Sequence, residues 1–230
     1  MDRPKADSVL VLSGLDPSGA AGIAADIETI NQFGLTPLPI ITLLTAQNTQ
    51  KVESLEVTKN DLLEHQFKLI DEDIHFNTVK IGLLGSSSQI IAISNLIKNR
   101  KQLNIVLDPI LISGTNENLS SIEIMEAMKA HLFPLCLVLT PNLAELNVLA
   151  PGLDEQAAVA SLNCPWVLVT TSDSSEAEIE HRLYHEANLI QKFIYDKLPH
   201  KFHGSGCTLS SAISALIASG DDVDVACNKA

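Results

Sequence analysis

The stretch His203-Gly204-Ser205-Gly206-Cys207-Thr208 places two glycines and a cysteine directly ahead of an apolar run over residues 209–218. Glycines let backbone N–H groups converge on one point, and the N-terminus of a following helix adds partial positive charge there. Gly204, Ser205 and Gly206 therefore read as an anion cradle. A thiol in that field ionises more easily than a free one, which makes Cys207 a candidate base. A cradle with a base beside it suits transfer of a phosphoryl group onto an alcohol. The plainer alternative is a Gly-rich helix start with a small buried cysteine. A protease-type dyad of Cys207 with His203 ranks low, because the sequence shows no third orienting residue.

Three further constellations could carry chemistry. Gly14-Leu15-Asp16-Pro17-Ser18-Gly19-Ala20-Ala21-Gly22 follows a strand pattern and precedes a helix pattern, where open α/β sheets bind ligands. It is neither a Walker A loop nor a GxGxxG fingerprint, and Asp16 could equally be a local cap. Thr45-Ala46-Gln47-Asn48-Thr49, read as a loop after a strand, could offer the Gln47 amide to a heterocycle edge, or be polar only because it is a loop. In Thr140-Pro141-Asn142-Leu143-Ala144-Glu145, Asn142 and Glu145 have the spacing of a helix-capping pair. Their oxygens also suit a hydrated Mg2+. Asp108, followed by Pro109, is either a turn former or a metal-proximal carboxylate.

These residues need a scaffold, and the pattern of the chain supplies one. Short β-rich runs at 8–12, 38–44, 79–84, 105–107, 135–139 and 166–170 alternate with amphipathic segments at 23–33, 60–72, 88–99 and 121–132. That alternation predicts an α/β fold with a mostly parallel sheet. Residues 182–186 and 190–195 resemble a hairpin, and the Gly-rich turn opens the last clear helix. Ser86 with Gln89 and Ser120 with Glu123 fit capping boxes. No linker or repeat interrupts the pattern, so residues 1–230 are expected to form one domain, with a covering C-terminal helix expected to be missing.

Composition narrows the partners. The 230 residues are 46% hydrophobic, enough for a substantial core. A net charge of −13 argues against a nucleic-acid partner. With 15 Lys and Arg, a phosphate would rest on backbone N–H groups and a divalent metal. The four cysteines lack zinc spacing, no apolar run is long enough to span a bilayer, and Met1-Asp2-Arg3-Pro4-Lys5 is not followed by a signal-peptide core. These features predict a soluble cytoplasmic protein.

Together and in order, these motifs, with Lys80-Ile81-Gly82-Leu83-Leu84, resemble the hydroxymethylpyrimidine/phosphomethylpyrimidine kinases of thiamine biosynthesis, within the ribokinase-like superfamily. The resemblance covers about residues 8–218 and implies a three-layer α/β/α sandwich, ATP and Mg2+ as cofactors, and a homodimer. It implies two successive phosphorylations, of the hydroxymethyl oxygen and then of the monophosphate. It puts Asp16 and Gln47 on the pyrimidine, Leu83 and Ile110 along its pocket, and the anion hole at 204–207 with Cys207 as base. Asn142, Glu145 and Thr170 fall on the nucleotide side, and Glu145 and Asp108 near the metal. Many superfamily members carry Asp where Cys207 stands, so the cysteine points to the pyrimidine branch. One departure is Thr170-Thr171-Ser172-Asp173, where many relatives have Lys-Gly-Gly-His; another is His181, where an Asp is common. The alternatives are a pyridoxal kinase, and a degenerate kinase kept for ligand binding.

Overall fold

Alternation of apolar side chains along buried strands sorts the helices of this protein into two layers. In the computed structural model, which describes residues 7–48, 51–100, 102–111, 121–171, 178–199 and 202–230, strand β1 (Ser8–Leu15) is buried along nearly its whole length. Successive side chains of a strand face opposite ways. Leu10 and Leu12 join one core cluster, while Val9 and Val11 join another.

The other elements follow as α1 (Gly22–Gln32), β2 (Thr36–Gln47), β3 (Val52–Val57), α2 (Asn60–Asp73), β4 (Thr78–Ile81), α3 (Ser87–Ile97) and β5 (Asn104–Leu107). Then come α4 (Ile122–His131), a 3-10 turn (Phe133–Leu135), β6 (Val138–Leu139), α5 (Leu143–Leu149), α6 (Glu155–Ser161) and β7 (Trp166–Val169). The hairpin β8 (Glu178–His185) and β9 (Asn188–Asp196) precedes α7 (Ser205–Ala218) and α8 (Val223–Lys229).

Among the described residues the sheet runs β3-β2-β1-β4-β5-β6-β7-β8-β9. The strands from β2 to β7 in that order are parallel, and β3, β8 and β9 pair antiparallel at the two edges. Helices α2 to α6 bury Leu63, Phe67, Ile90, Ile93, Ile124, Leu146 and Val159 on one face. On the other face, α1 contributes Ile23 and Ile30, α7 Ile213 and Ile217, and α8 Val223 and Ala226. This is the expected three-layer α/β/α sandwich with a mostly parallel sheet.

Some local expectations shift. Strand 135–139 shrinks to Val138–Leu139, because Pro134 lies in the 3-10 turn before it. Helix α8 follows α7, so α7 is not the last helix. Ser86 caps α3 by accepting from the Gln89 N–H, but the Gln89 side chain does not close a capping box. It accepts instead from the Gly85 N–H and donates to the Thr42 carbonyl. The cap of α4 is Ser121, one residue later than expected, and Ser120 lies outside the described residues. Glu123 instead accepts from the Ser87 hydroxyl at 2.5 Å.

The β8 edge is tied to α6 by Glu155, which accepts from Arg182 at 2.5 and 2.7 Å and from the Tyr184 hydroxyl at 2.6 Å. Burial pushes this carboxyl up, but the hydrogen bonds from Arg182 and Tyr184 outweigh it and hold the pKa below the usual value. A lowered carboxyl pKa stabilises the fold above its unfolded pKa, and that stability is lost as the pH falls through the folded value. Glu155→Gln is therefore expected to cost about 1–2 kcal/mol at pH 7. The difference from wild type, read by urea unfolding, should shrink steadily below pH 4.5, the ordinary Glu value. A deficit that stays constant down to pH 3 would refute the charge argument.

Candidate active site

The parallel strands end on one rim, and the rim collects the residues singled out in the sequence. Asp16 follows β1, Gln47 ends β2, Leu83 follows β4, Asp108 and Ile110 follow β5, Asn142 follows β6 and Thr170 follows β7. Chain order reverses at β1, which lies between β2 and β4, and such a switch point opens a crevice. The start of α7 closes onto it from the layer that α7 shares with α1 and α8.

Two glycine loops interlock there. Gly204 is the N-cap of α7 with φ +85°, and a Cβ built on it would lie 1.8 Å from the Ala20 carbonyl oxygen. Gly22, at φ +59°, opens α1, and its Cβ would lie 2.3 Å from the Gly14 carbonyl oxygen. With Gly204 as cap, Ser205, Gly206 and Cys207 occupy the first turn of α7, whose N–H groups have no intrahelical acceptor. The cradle inferred from the sequence is thus the first turn of a 14-residue helix.

Asp16 does not cap α1, whose N-cap is Ala21. Its carboxylate accepts from the Ser18 N–H and hydroxyl, both at 2.8 Å, and pairs with His203 Nε2 at 2.9 Å. Burial would raise this carboxyl, but the bonds from Ser18 and His203 keep its pKa below the ordinary value. Two motifs 187 residues apart thus share one hydrogen bond. His203 does have an orienting carboxylate, and its partner is Asp16 rather than Cys207.

Cys207 is buried against Ala21, Ala25 and Ile110. Burial pushes its thiol up to about 12, against the pull of Lys80 and of a hydrogen bond from the Gly22 N–H. Asp108 and Asp26 add to the rise. The expected easy ionisation is therefore corrected: desolvation outweighs the field of the helix terminus. Asp108 is itself buried and pushed up to about 6, opposed by Lys80 and by hydrogen bonds with Ser210 and Cys207.

Of the residues expected on the nucleotide side, Asn142 and Glu145 form a complete capping box at the start of α5, with both bonds at 2.9 Å. The Leu111 N–H also reaches Glu145 at 3.4 Å, which ties the loop after β5 to this cap. Thr170 bridges to Asn142 in parallel register. Ser172 and Asp173 lie outside the described residues. His181 accepts from the Thr171 N–H at 3.4 Å, and burial with Arg182 beside it lowers its pKa.

Of the residues expected around the substrate, 45–47 are not a loop but the end of β2, paired with β3 through a bulge between Ala46 and Gln47. Thr49 lies outside the described residues. Leu83 sits beside Gly14, whose Cβ would meet it at 3.5 Å.

Sequence reasoning quoted Lys80 within a motif but gave it no role, and missed Asp26 and Ser211. Lys80 and Asp26 form a fully buried ion pair at 2.7 Å, and the Ser211 hydroxyl donates to the same Asp26 oxygen at 2.7 Å. The available signal was a lysine inside an otherwise apolar strand.

A Gly-rich helix start at the switch point of such a sandwich, with acidic side chains along the rim, defines a small-molecule kinase of ribokinase-like fold. The family model described as phosphomethylpyrimidine kinase matches residues 16–230, and the chain belongs to that family. The chain is 31% identical over 219 residues to the hydroxymethylpyrimidine/phosphomethylpyrimidine kinase of Salmonella typhimurium, covering 91% of this chain and 82% of that one. Among solved structures, a phosphomethylpyrimidine kinase from Clostridium difficile 630 superposes with TM-score 0.82 at 29% identity, over 96% of this chain and 95% of that one. The ADP complex of Bacillus subtilis pyridoxal kinase gives TM-score 0.86 at 25% identity, over 97% and 88% of the two chains. The protein is a kinase of this type.

Proposed function

We propose that this kinase phosphorylates the hydroxymethyl oxygen of 4-amino-5-hydroxymethyl-2-methylpyrimidine, and then the resulting monophosphate. The observation that carries this reading is the bond from His203, at the entry to the Gly204–Cys207 turn, to Asp16 at the switch point where the strand ending in Gln47 also finishes. Asp16 and Gln47 are the polar groups for the aminopyrimidine, with Leu83 and Ile110 as its apolar walls. Among the described residues, the Gln47 amide makes no hydrogen bond, so its donor and acceptor are free for a heterocycle.

Phosphoryl transfer needs alignment and charge neutralisation more than covalent chemistry. The N–H groups of Ser205, Gly206 and Cys207 receive the charge on the transferred group. Cys207 takes the hydroxyl proton at Sγ while its own proton passes to Asp108, with which it shares a hydrogen bond. Asn142, Glu145 and Thr170 face the nucleotide.

Glu145 is the carboxylate that would hold Mg2+, an ion that keeps waters and phosphate ligands, while Asp108 stays free to take the proton. The buried Thr140 hydroxyl, unpartnered just after β6, adds an oxygen shortly before Glu145 in the chain. Mg2+ would supply charge neutralisation for the phosphates there. Glu145→Gln is expected to raise the Mg2+ concentration for half-maximal rate several-fold; an unchanged Mg2+ dependence would remove Glu145 from the metal.

The exposed Leu44 and Leu55 on the β2–β3 edge and Leu62 and Leu69 on α2 support a homodimer. Among the described residues no helix is long and apolar enough to cross a membrane, which supports a cytoplasmic site of action. The deciding experiment is product analysis with ATP and Mg2+, resolving mono- from diphosphate, with pyridoxal in parallel. Monophosphate followed by diphosphate is expected, with pyridoxal turned over at least about tenfold more slowly, a ratio one set of hydrogen bonds can supply. Faster pyridoxal phosphorylation would favour the pyridoxal kinase reading. Pyrimidine binding without ATP turnover would mark a degenerate kinase.

A further inference from the structure

Lys80 is the only buried Lys or Arg among the described residues, and the fold goes to some length to keep it there. It lies on β4 between Val11 of β1 and Val106 of β5, on the face covered by α1 and α7. An apolar side chain would suit that position, and exchanging a buried ion pair for apolar residues often leaves stability unchanged or improves it. Stability alone is therefore a weak reason for a lysine here.

Its surroundings give a stronger one. Its one hydrogen bond among the described residues goes to Asp26 Oδ1, which also accepts from Ser211 of α7, while Asp26 Oδ2 is buried without a partner. The ammonium lies close under the backbone after β4, since a Cβ on Gly82 would sit 2.9 Å from Nζ and 2.5 Å from the unpartnered Ser13 hydroxyl. Ser211, which holds Asp26, lies one helical turn beyond Cys207 on α7, so the pair is packed under the N-terminal half of that helix. The neighbouring Ser210 donates to Asp108, which links the same stretch of α7 to the rim.

We infer that Lys80 is a positioning residue whose fixed charge, held by Asp26 and Ser211, supports negative charge at the Gly204–Cys207 turn during phosphoryl transfer. The field acts through low-dielectric protein, where it is little screened. Asp26 sets where the charge lies rather than cancelling it. This inference rests on the kinase reading given above.

The test compares wild type with Asp26→Asn, Lys80→Gln/Asp26→Asn and Lys80→Met/Asp26→Asn in the pyrimidine kinase assay, with cooperative thermal unfolding as the check on folding. Asn at 26 keeps an acceptor for Ser211, and the Gln/Asn pair replaces the ion pair with neutral amides, so one double variant serves if the other fails to fold. A folded double variant is expected to lose at least about 30-fold in kcat, with KM for the pyrimidine within about threefold, as for loss of a transition-state interaction. Asp26→Asn, which leaves the ammonium uncompensated, should turn over faster than either double variant. A purely structural pair predicts the reverse, since the neutral doubles would then restore what the single variant loses. A double variant within threefold of wild type, or one faster than Asp26→Asn, overturns the inference while leaving the kinase reading intact. A wild-type protein that forms no phosphopyrimidine overturns both.

Discussion

Cys207→Ala is expected to keep pyrimidine binding within about threefold of wild type while lowering kcat by about 10²–10⁴, the usual contribution of a positioned base. The side chain is small and packs in the cluster of Ala21, Ala25 and Ile110, so its loss leaves a shallow defect. In the proposed reading binding rests on Asp16, Gln47 and the apolar walls, none of which Cys207 holds in place through a side-chain hydrogen bond. The rate should fall because the substrate hydroxyl loses its proton acceptor and the path to Asp108. Single-turnover phosphorylation beside ligand-binding calorimetry separates the two quantities. Near-normal turnover would take Cys207 out of the proton path and leave the helix terminus as the principal device. Cys207→Asp sharpens the result. Although Asp stands here in many superfamily members, this site already holds Asp26 and Asp108, and both disfavour further negative charge at 207. The Asp variant is therefore expected to remain within about tenfold of the Ala variant, because like charges in one buried site cannot all ionise.

Gly204→Ala is the second large effect, and it acts on structure and activity together. At φ +85° an L side chain is strained by about 1–2 kcal/mol. The new Cβ would also fall 1.8 Å from the Ala20 carbonyl oxygen, a backbone atom that cannot swing aside like a flexible side chain. The loop before α1 and the start of α7 must then separate, opening the Asp16–His203 bond and turning the first-turn N–H groups away. A total cost of at least about 3 kcal/mol is expected, with kinase activity lost even in the fraction that remains folded. Gly152→Ala is the matched control, since Gly152 has φ +79° but nothing within 4 Å of its Cβ. It should show the conformational strain alone and keep full turnover. If the two variants melt alike, the interlocking of the loops is not what holds the site together.

Periodicity made the parallel strands and most helices readable, because each buried strand is a compact apolar run and each long helix shows one apolar face. Contacts that depend on tertiary neighbours were harder to see. β3 carries mostly exposed residues and pairs only with the end of β2, so its sequence gives little burial signal. α8 is seven residues long and draws its stability from packing against α7. The rim residues were legible because each follows a strand. The way they are wired together was not: Asp16 meets His203 and Lys80 meets Asp26 only once distant segments pack. The protonation of Cys207 was misjudged for the same reason, since the helix start is local in sequence while the burial that opposes ionisation comes from α1 and β5.

The Asp16–His203 bond also places the birth of the site in time. Translation at roughly 5–20 residues per second would put some 10–40 s between the two partners. During that interval β1 and the loop after it can fold against β2 and β4, yet the cradle has no floor and Asp26 lacks its partner on α7. A ribosome-bound chain arrested before residue 203 would therefore carry most of its sheet and no phosphate grip. Catalytic competence arrives with α7, as a late and all-at-once event in the life of the chain.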